Sequence, residues 1–267
     1  TASGVYSTAS GYNSTASGYQ SIASGNYSTA SGFYANAIGN YSTAWGRNVT
    51  ASGYHSRAYG SETTASGNYS TASGSYNVLA SGNYSTASGF YSTASGNDST
   101  ASGFYSTASG VYSTASGYYA SASGAHSTAS GYRTTAAFAY AAASGYNSTA
   151  SGLHSTASGR YSTASGNYST ASGRSVTASG YHSTAWGRSV TAMGNYSTAW
   201  GRNITVNAAH TDAHVIGNGI NSSEGNALFI NNLFVEDGKV MLKNLPTADP
   251  GNPGQVWRRG TVLNVSI

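Results

Sequence analysis

Glycine recurs at every seventh position from Gly4 to Gly74 and, after one extra residue, from Gly82 to Gly201, with Phe138 the only substitution on that frame. Alanine stands two residues before every frame position, from Ala2 to Ala199, including Ala136 ahead of Phe138. Thr commonly precedes this Ala, Ser precedes the Thr, and Tyr is the most frequent residue two after the Gly, giving Ser-Thr-Ala-Ser-Gly-x-Tyr. A repeat this short cannot bury a core alone, so its copies must stack into an array in which each unit contacts its neighbours.

Seven-residue periodicity invites a coiled coil, but the heptads carry Gly, Ser and Thr where a coiled coil needs apolar a and d positions. Collagen is excluded because Gly is not at every third residue and the chain has only 3 Pro. Disorder fits poorly with 7% charged residues and 23 Tyr. No stretch approaches the 18 apolar residues of a membrane span. The N-terminal Thr1-Ala2-Ser3-Gly4 opens inside a repeat, without initiator Met or signal peptide, as expected of a fragment or a processed product.

A strand-and-turn unit satisfies the pattern. Side chains alternate along a strand, so in Tyr-Ser-Thr-Ala-Ser the first Ser and the Ala share one face, and their invariance marks it as the crowded, inward one. Gly closes each strand and is expected to supply the positive φ of a tight turn. Two heptads make one coil of about 14 residues, and coils stacked in parallel at about 4.8 Å predict roughly 14 coils. The fold class is thus all-β, a parallel β-roll or β-solenoid, with Ala44, Gly46, Ala101, Gly103, Ala185 and Gly187 as representative structural positions.

The Ser-x-Ala-x-Gly-x-x-Ser-x-Ala-x-Gly spacing resembles the YadA-like head repeats of trimeric autotransporter adhesins over about residues 1–205, most closely at Ala35-Asn36-Ala37-Ile38-Gly39-Asn40 and Ser42-Thr43-Ala44-Trp45-Gly46. The resemblance implies a left-handed parallel β-roll, a trimer, and a surface-displayed adhesive role. Where the family commonly places apolar residues on both sides of the Ala, this chain mostly has Thr and Ser.

Composition changes after Ile204, and residues 206–267 hold all the Lys and Pro, which predicts a separate C-terminal β segment for capping or attachment. Leu233-Phe234-Val235 and Val240-Met241-Leu242 flank Glu236-Asp237-Gly238-Lys239 as a hairpin would. Leu245–Gly251, Gly254–Trp257 and Val262–Ser266 resemble closing segments of phage tail-fibre and other fibrous surface proteins.

Catalysis is not expected, because the polar residues of the repeats recur on a lattice instead of converging as unique groups. His55, His126, His154 and His182 all occupy the position two after Gly, and Glu62 and Asp98 are the only acids in the repeats. No cofactor is implied. His210, Asp212 and His214 would share one strand face and are weak metal candidates. The Arg residues, which give a net charge of +4, look spread along the rod, too sparse for nucleic acid, with acidic glycans a secondary prospect.

Tyr is the residue most suited to recognition, with an apolar ring and a wet hydroxyl. Tyr27, Tyr41, Tyr69, Tyr84, Tyr91, Tyr105, Tyr112, Tyr161, Tyr168 and Tyr196 all fall two after Gly, and stacked coils would gather them into columns that bind a surface glycan or a neighbouring chain. Asn-x-Ser/Thr sequons such as Asn26, Asn40 and Asn68 are largely by-products of the repeat, although a glycoprotein remains compatible with the exposed Ser and Thr. The expected function is a structural and adhesive fibre of a cell surface or virion, extracellular, homotrimeric or filamentous, without a dedicated membrane span. The alternatives are a filament subunit without ligand, and an ice-binding protein using its Thr rows.

Overall fold

The computed structural model describes residues 1–222 and the backbone of the strands Leu228–Ile230, Val256–Arg259 and Val262–Val265. The chain divides into two compact units, Thr1–Asn231 and Asn232–Ile267. In the second, Val256–Arg259 and Val262–Val265 pair antiparallel. The Leu233–Leu242 hairpin and the Leu245–Gly251 part of the tail-fibre resemblance lie outside the described residues.

The first unit is a parallel β-solenoid with no helix among the described residues. Each rung pairs with the residue 14 further along, as in Thr100↔Thr114, Ala101↔Ala115 and Gly103↔Gly117. About 16 coils result, more than the Gly frame alone predicts. Thr198–Arg202 pairs with His214–Asn218, 16 residues on, and that strand carries Leu228–Ile230.

The interior is thin. In a central coil it holds Ser99, Ala101, Ser106 and Ala108, all fully buried, and Ala44 and Ala185 are equally inaccessible in their own rungs. Four small side chains per coil bury little apolar area, so at about 25 cal/mol per Å² the hydrophobic term is modest and the backbone ladders carry much of the stability.

The two bends of a coil differ. At the first, typified by Gly82–Ser85, the Ser85 N–H donates to Gly82 O at 3.3 Å and its hydroxyl donates to the same oxygen at 2.6 Å. This turn is tight, and its left-handed residue is Tyr84 at φ 56°, not the glycine. At the second bend, as at Gly103 with φ 129°, glycine does take a positive φ, and a left-handed residue, Tyr105 at φ 52°, follows two positions on. The expectation that glycine supplies the left-handed residue of the tight turn is therefore corrected. At both bends glycine is needed because coils stack backbone on backbone: a Cβ on Gly82 would lie 2.0 Å from Gly96 O, and one on Gly103 2.2 Å from Gly117 O.

The buried position just after the bend differs in kind between the two bends. After the tight turn it is Ser in nearly every coil. After the open bend Ala35, Val49, Thr63, Val78, Val176, Val190 and Ile204 stand in continuous strands such as Thr43–Ala51, whereas coils with Ser there, and those with Ala120 and Thr134, have the run split into pieces such as Thr86–Phe90 and Thr93–Ala94. At this position Ser21, Ser148 and Ser162 each donate a hydroxyl hydrogen bond to the carbonyl four residues back. The extra residue between Gly74 and Gly82 is absorbed here, where Tyr76 and Asn77 are both left-handed and the ladder slips a residue.

Ser106 is buried at the open bend with no partner for its hydroxyl. Ser106→Val removes an unsatisfied polar atom and adds apolar contact where other coils carry Val, so it is expected to stabilise the roll by about 1 kcal/mol. Ser99→Val, which breaks the 2.6 Å bond to Gly96 O at the tight turn, is expected to destabilise by about as much. Thermal unfolding midpoints of the two variants should move in opposite directions.

Candidate interaction surface

The tight-turn edge carries a file of aromatic rings. Tyr27, Tyr41, His55, Tyr69 and Tyr84 stack face to face with centroids 4.6–5.2 Å apart and planes within 7°. Asp98 occupies the next place. Beyond it the file resumes through Tyr112, His126, Tyr140, His154, Tyr168, His182 and Tyr196, at 4.4–5.5 Å.

Each ring sits on a residue held left-handed, between φ 53° and 60°, a conformation costing an L-residue roughly 1–2 kcal/mol. Two stacked neighbours, at roughly 0.5–1.5 kcal/mol per pair, offset that cost. The rings still face solvent: Tyr69 is 47% and Tyr112 56% exposed. Beside the file, Asn side chains lock successive coils, the Asn68 N–H donating to Asn83 Oδ1 and the Asn83 N–H to Asn97 Oδ1.

The open-bend edge is aromatic over its middle. Phe90, Phe104, Tyr118, Tyr132 and Tyr146 stack at 4.8–5.0 Å, one residue after each glycine. Tyr91, Tyr105 and Tyr119 form a second file edge-on to them. Crowding within this pair of files removes solvent from the Tyr105 phenol and, with Tyr91, Tyr119 and Tyr118 adding to the effect, pushes its pKa upward. Towards the C-terminal end Arg takes over the first file, with Arg160 lying over the rings of Tyr146 and Tyr161 at 5.6 and 5.2 Å.

The ten candidate Tyr residues therefore lie on two edges. Tyr27, Tyr41, Tyr69, Tyr84, Tyr112, Tyr168 and Tyr196 belong to the tight-turn file, while Tyr91, Tyr105 and Tyr161 belong to the open bend. The Phe/Tyr file directly after Gly was missed because that position looks unconstrained in single heptads; listing it every 14 residues shows the aromatic run. Arg160, Arg174, Arg188 and Arg202, read as spread along the rod, stand on consecutive rungs. Residues seven apart are at opposite bends of a coil, and residues 14 apart are neighbours.

His210, Asp212 and His214 do not share a strand face. Asp212 is a left-handed turn residue, His214 begins the strand His214–Asn218, and His210 Nδ1 lies 2.6 Å from Ser222 Oγ. Among the described residues no three His, Cys, Asp or Glu side chains converge on a metal-sized site. The surface between the files offers shallow furrows, such as that lined by Tyr34, Asn36, Asn48 and Thr50. No helix among the described residues is long and apolar enough to cross a membrane.

No curated protein matches the chain. Among solved structures, the collagen-binding domain of the Yersinia adhesin YadA is similar, with 20% identity and a TM-score of 0.33 over 69% of this chain and 85% of that domain. The YadA head domain repeat profile matches ten segments, beginning with 2–28 and 23–48 and ending with 150–175 and 164–189. With most of residues 2–189 matched by that repeat, the chain belongs to the YadA head domain repeat family.

Proposed function

We propose that this roll is the binding portion of an adhesive surface fibre, displayed outside the cell and assembled as a homotrimer, with its aromatic edges contacting host-surface glycan or matrix protein. The observation that carries this reading is the tight-turn file. Seven coils in succession, from Tyr112 to Tyr196, present an exposed ring at one place, although Asn serves that left-handed position at Asn13 with no ring at all. Folding does not require the rings. A surface that interacts along its length accounts for them, and membership in an adhesin-head family supports the same role.

Asn tolerates the left-handed conformation, so Tyr112→Asn/Tyr140→Asn/Tyr168→Asn removes rings without straining the turns. This variant should keep the β-rich circular dichroism of the parent and lose about tenfold or more in adhesion to matrix- or glycan-coated surfaces. Unchanged adhesion by a folded variant would sink the reading.

A further inference from the structure

Arg160, Arg174, Arg188 and Arg202 are direct partners on four consecutive rungs of the open-bend edge. All four side chains are exposed. Parallel rungs rise by about 4.8 Å, so the file spans about 14 Å with one guanidinium per rung. Arg174, Arg188 and Arg202 have no ion pair among the described residues, where the single pair is Arg47 with Glu62 at 3.5 Å. Like charges at this spacing repel, and no other part of the roll stacks them. The aromatic files give way to this one instead of continuing through it.

Next to the Arg file runs the glycine column Gly159, Gly173, Gly187 and Gly201, which has no side chains and leaves a strip of bare backbone. On the other side of that column stand Ser158, Ser172, Trp186 and Trp200. Trp186 and Trp200 are stacked at 5.4 Å and 9° and are both more than half exposed. A bare strip between a file of guanidinium groups and a file of hydroxyl and indole N–H donors suits an extended chain that carries anionic groups at intervals.

We propose that this strip binds a linear anionic polysaccharide lying along the rod, its sulfate or carboxylate groups pairing with successive arginines. Guanidinium groups match such anions through paired, charge-assisted hydrogen bonds. A single small anion would meet only one or two of the four. Single-stranded nucleic acid fits less well, because it binds by stacking bases on open ring faces, and the stacked Trp186 and Trp200 cover each other's inner faces. The inference rests on the adhesive reading and gives it a ligand class and a location distinct from the Tyr/His file.

The test uses the full 267-residue chain with heparin as the sulfated probe, polygalacturonate as the carboxylated probe, dextran as the neutral control, and single- and double-stranded DNA. Binding is expected to one or both polyanions and not to dextran, and to weaken as salt rises from about 0.05 to about 0.3 M. Arg174→Gln/Arg188→Gln/Arg202→Gln should lower affinity about 30-fold, taking roughly threefold for each exposed contact. Arg47→Gln/Arg57→Gln/Arg133→Gln, which removes the same charge elsewhere, should lower it by less than about threefold. The responding probe separates sulfate from carboxylate recognition.

Equal losses in the two variants would reduce the effect to net charge and overturn the strip. Tighter binding to DNA than to either polysaccharide, or no binding to either, would overturn it as well. Parallel adhesion assays with the Tyr112/Tyr140/Tyr168 variant keep the two readings apart. A rod that adheres through its rings but ignores both polyanions refutes the strip alone, and a rod that binds polyanions with adhesion indifferent to the rings refutes the aromatic edge alone.

Discussion

Gly103→Ala should destabilise the roll by roughly 3 kcal/mol or more, while Gly110→Ala, half a coil later, should cost roughly half as much. Both glycines pack against the next coil, and a Cβ would lie 2.2 Å from Gly117 O in the first case and 2.0 Å from Gly124 O in the second. The difference is conformational. Gly103 has φ 129°, a region that L-residues rarely enter, whereas Gly110 belongs to the tight-turn set, whose glycines keep ordinary φ values. A shift of the neighbouring coil relieves the contact in both variants but cannot relieve the dihedral strain at residue 103.

The chain contains the relevant natural substitution. Phe138 stands at a tight-turn glycine position, has no positive φ, and turns outward to 56% exposure. The Ala137 N–H beside it still donates to Ala150 O at 2.9 Å. The frame thus admits a side chain at the bend where backbone geometry allows one. Urea titrations followed by circular dichroism should place the Gly103→Ala midpoint well below that of Gly110→Ala; coincident midpoints would mean that crowding between coils alone governs both sites.

Much of this architecture is legible from the repeat. Invariant Ala with alternating Ser identifies the inward face, and two five-residue strands with two bends define the 14-residue coil. The two kinds of bend are hidden by counting in sevens. Written in fourteens, one buried column reads Ser28, Ser42, Ser56, Ser70, Ser85 and Ser99, and the other Ser21, Ala35, Val49, Thr63, Val78 and Ser92. The constant column keeps a small residue at the tight turn, where Ser28, Ser70, Ser85 and Ser99 place a hydroxyl on the turn carbonyl, and the variable one only has to fill space.

The same recounting brings Arg160, Arg174, Arg188 and Arg202 together. The left-handed Tyr residues were not legible, because the glycine that closes each strand is the obvious carrier of positive φ, and what makes a Tyr tolerable there is a ring on the adjacent coil. The rung His214–Asn218 was hidden for another reason: its spacing from Thr198–Arg202 is 16 residues, which breaks the frame.

Ala101→Leu should disrupt its coil, costing roughly 3 kcal/mol or more, whereas Thr100→Val on the outward side should change stability by less than about 1 kcal/mol. Ala101 is fully buried, in register with Ala87 and Ala115, and shares its coil interior with Ser99, Ser106 and Ala108. Three further carbons have no void to enter. Making room would mean widening the coil, yet each coil is tied to two others by parallel hydrogen bonds, so widening one rung bends the ladders on both sides.

The end of the roll shows the condition under which larger residues fit. Ala192 pairs with Val206, and Ala199 with Val215, both valines being fully buried, so the inward positions enlarge together in the last rungs. A larger side chain is accommodated when its neighbours enlarge with it, and Ala101 has narrow coils on both sides. Circular dichroism and urea unfolding of Ala101→Leu, Thr100→Val and Ala199→Val should rank Ala101→Leu as the most damaging by a wide margin. A parent-like Ala101→Leu protein would mean that Ala is not the residue that sets the width of the coil.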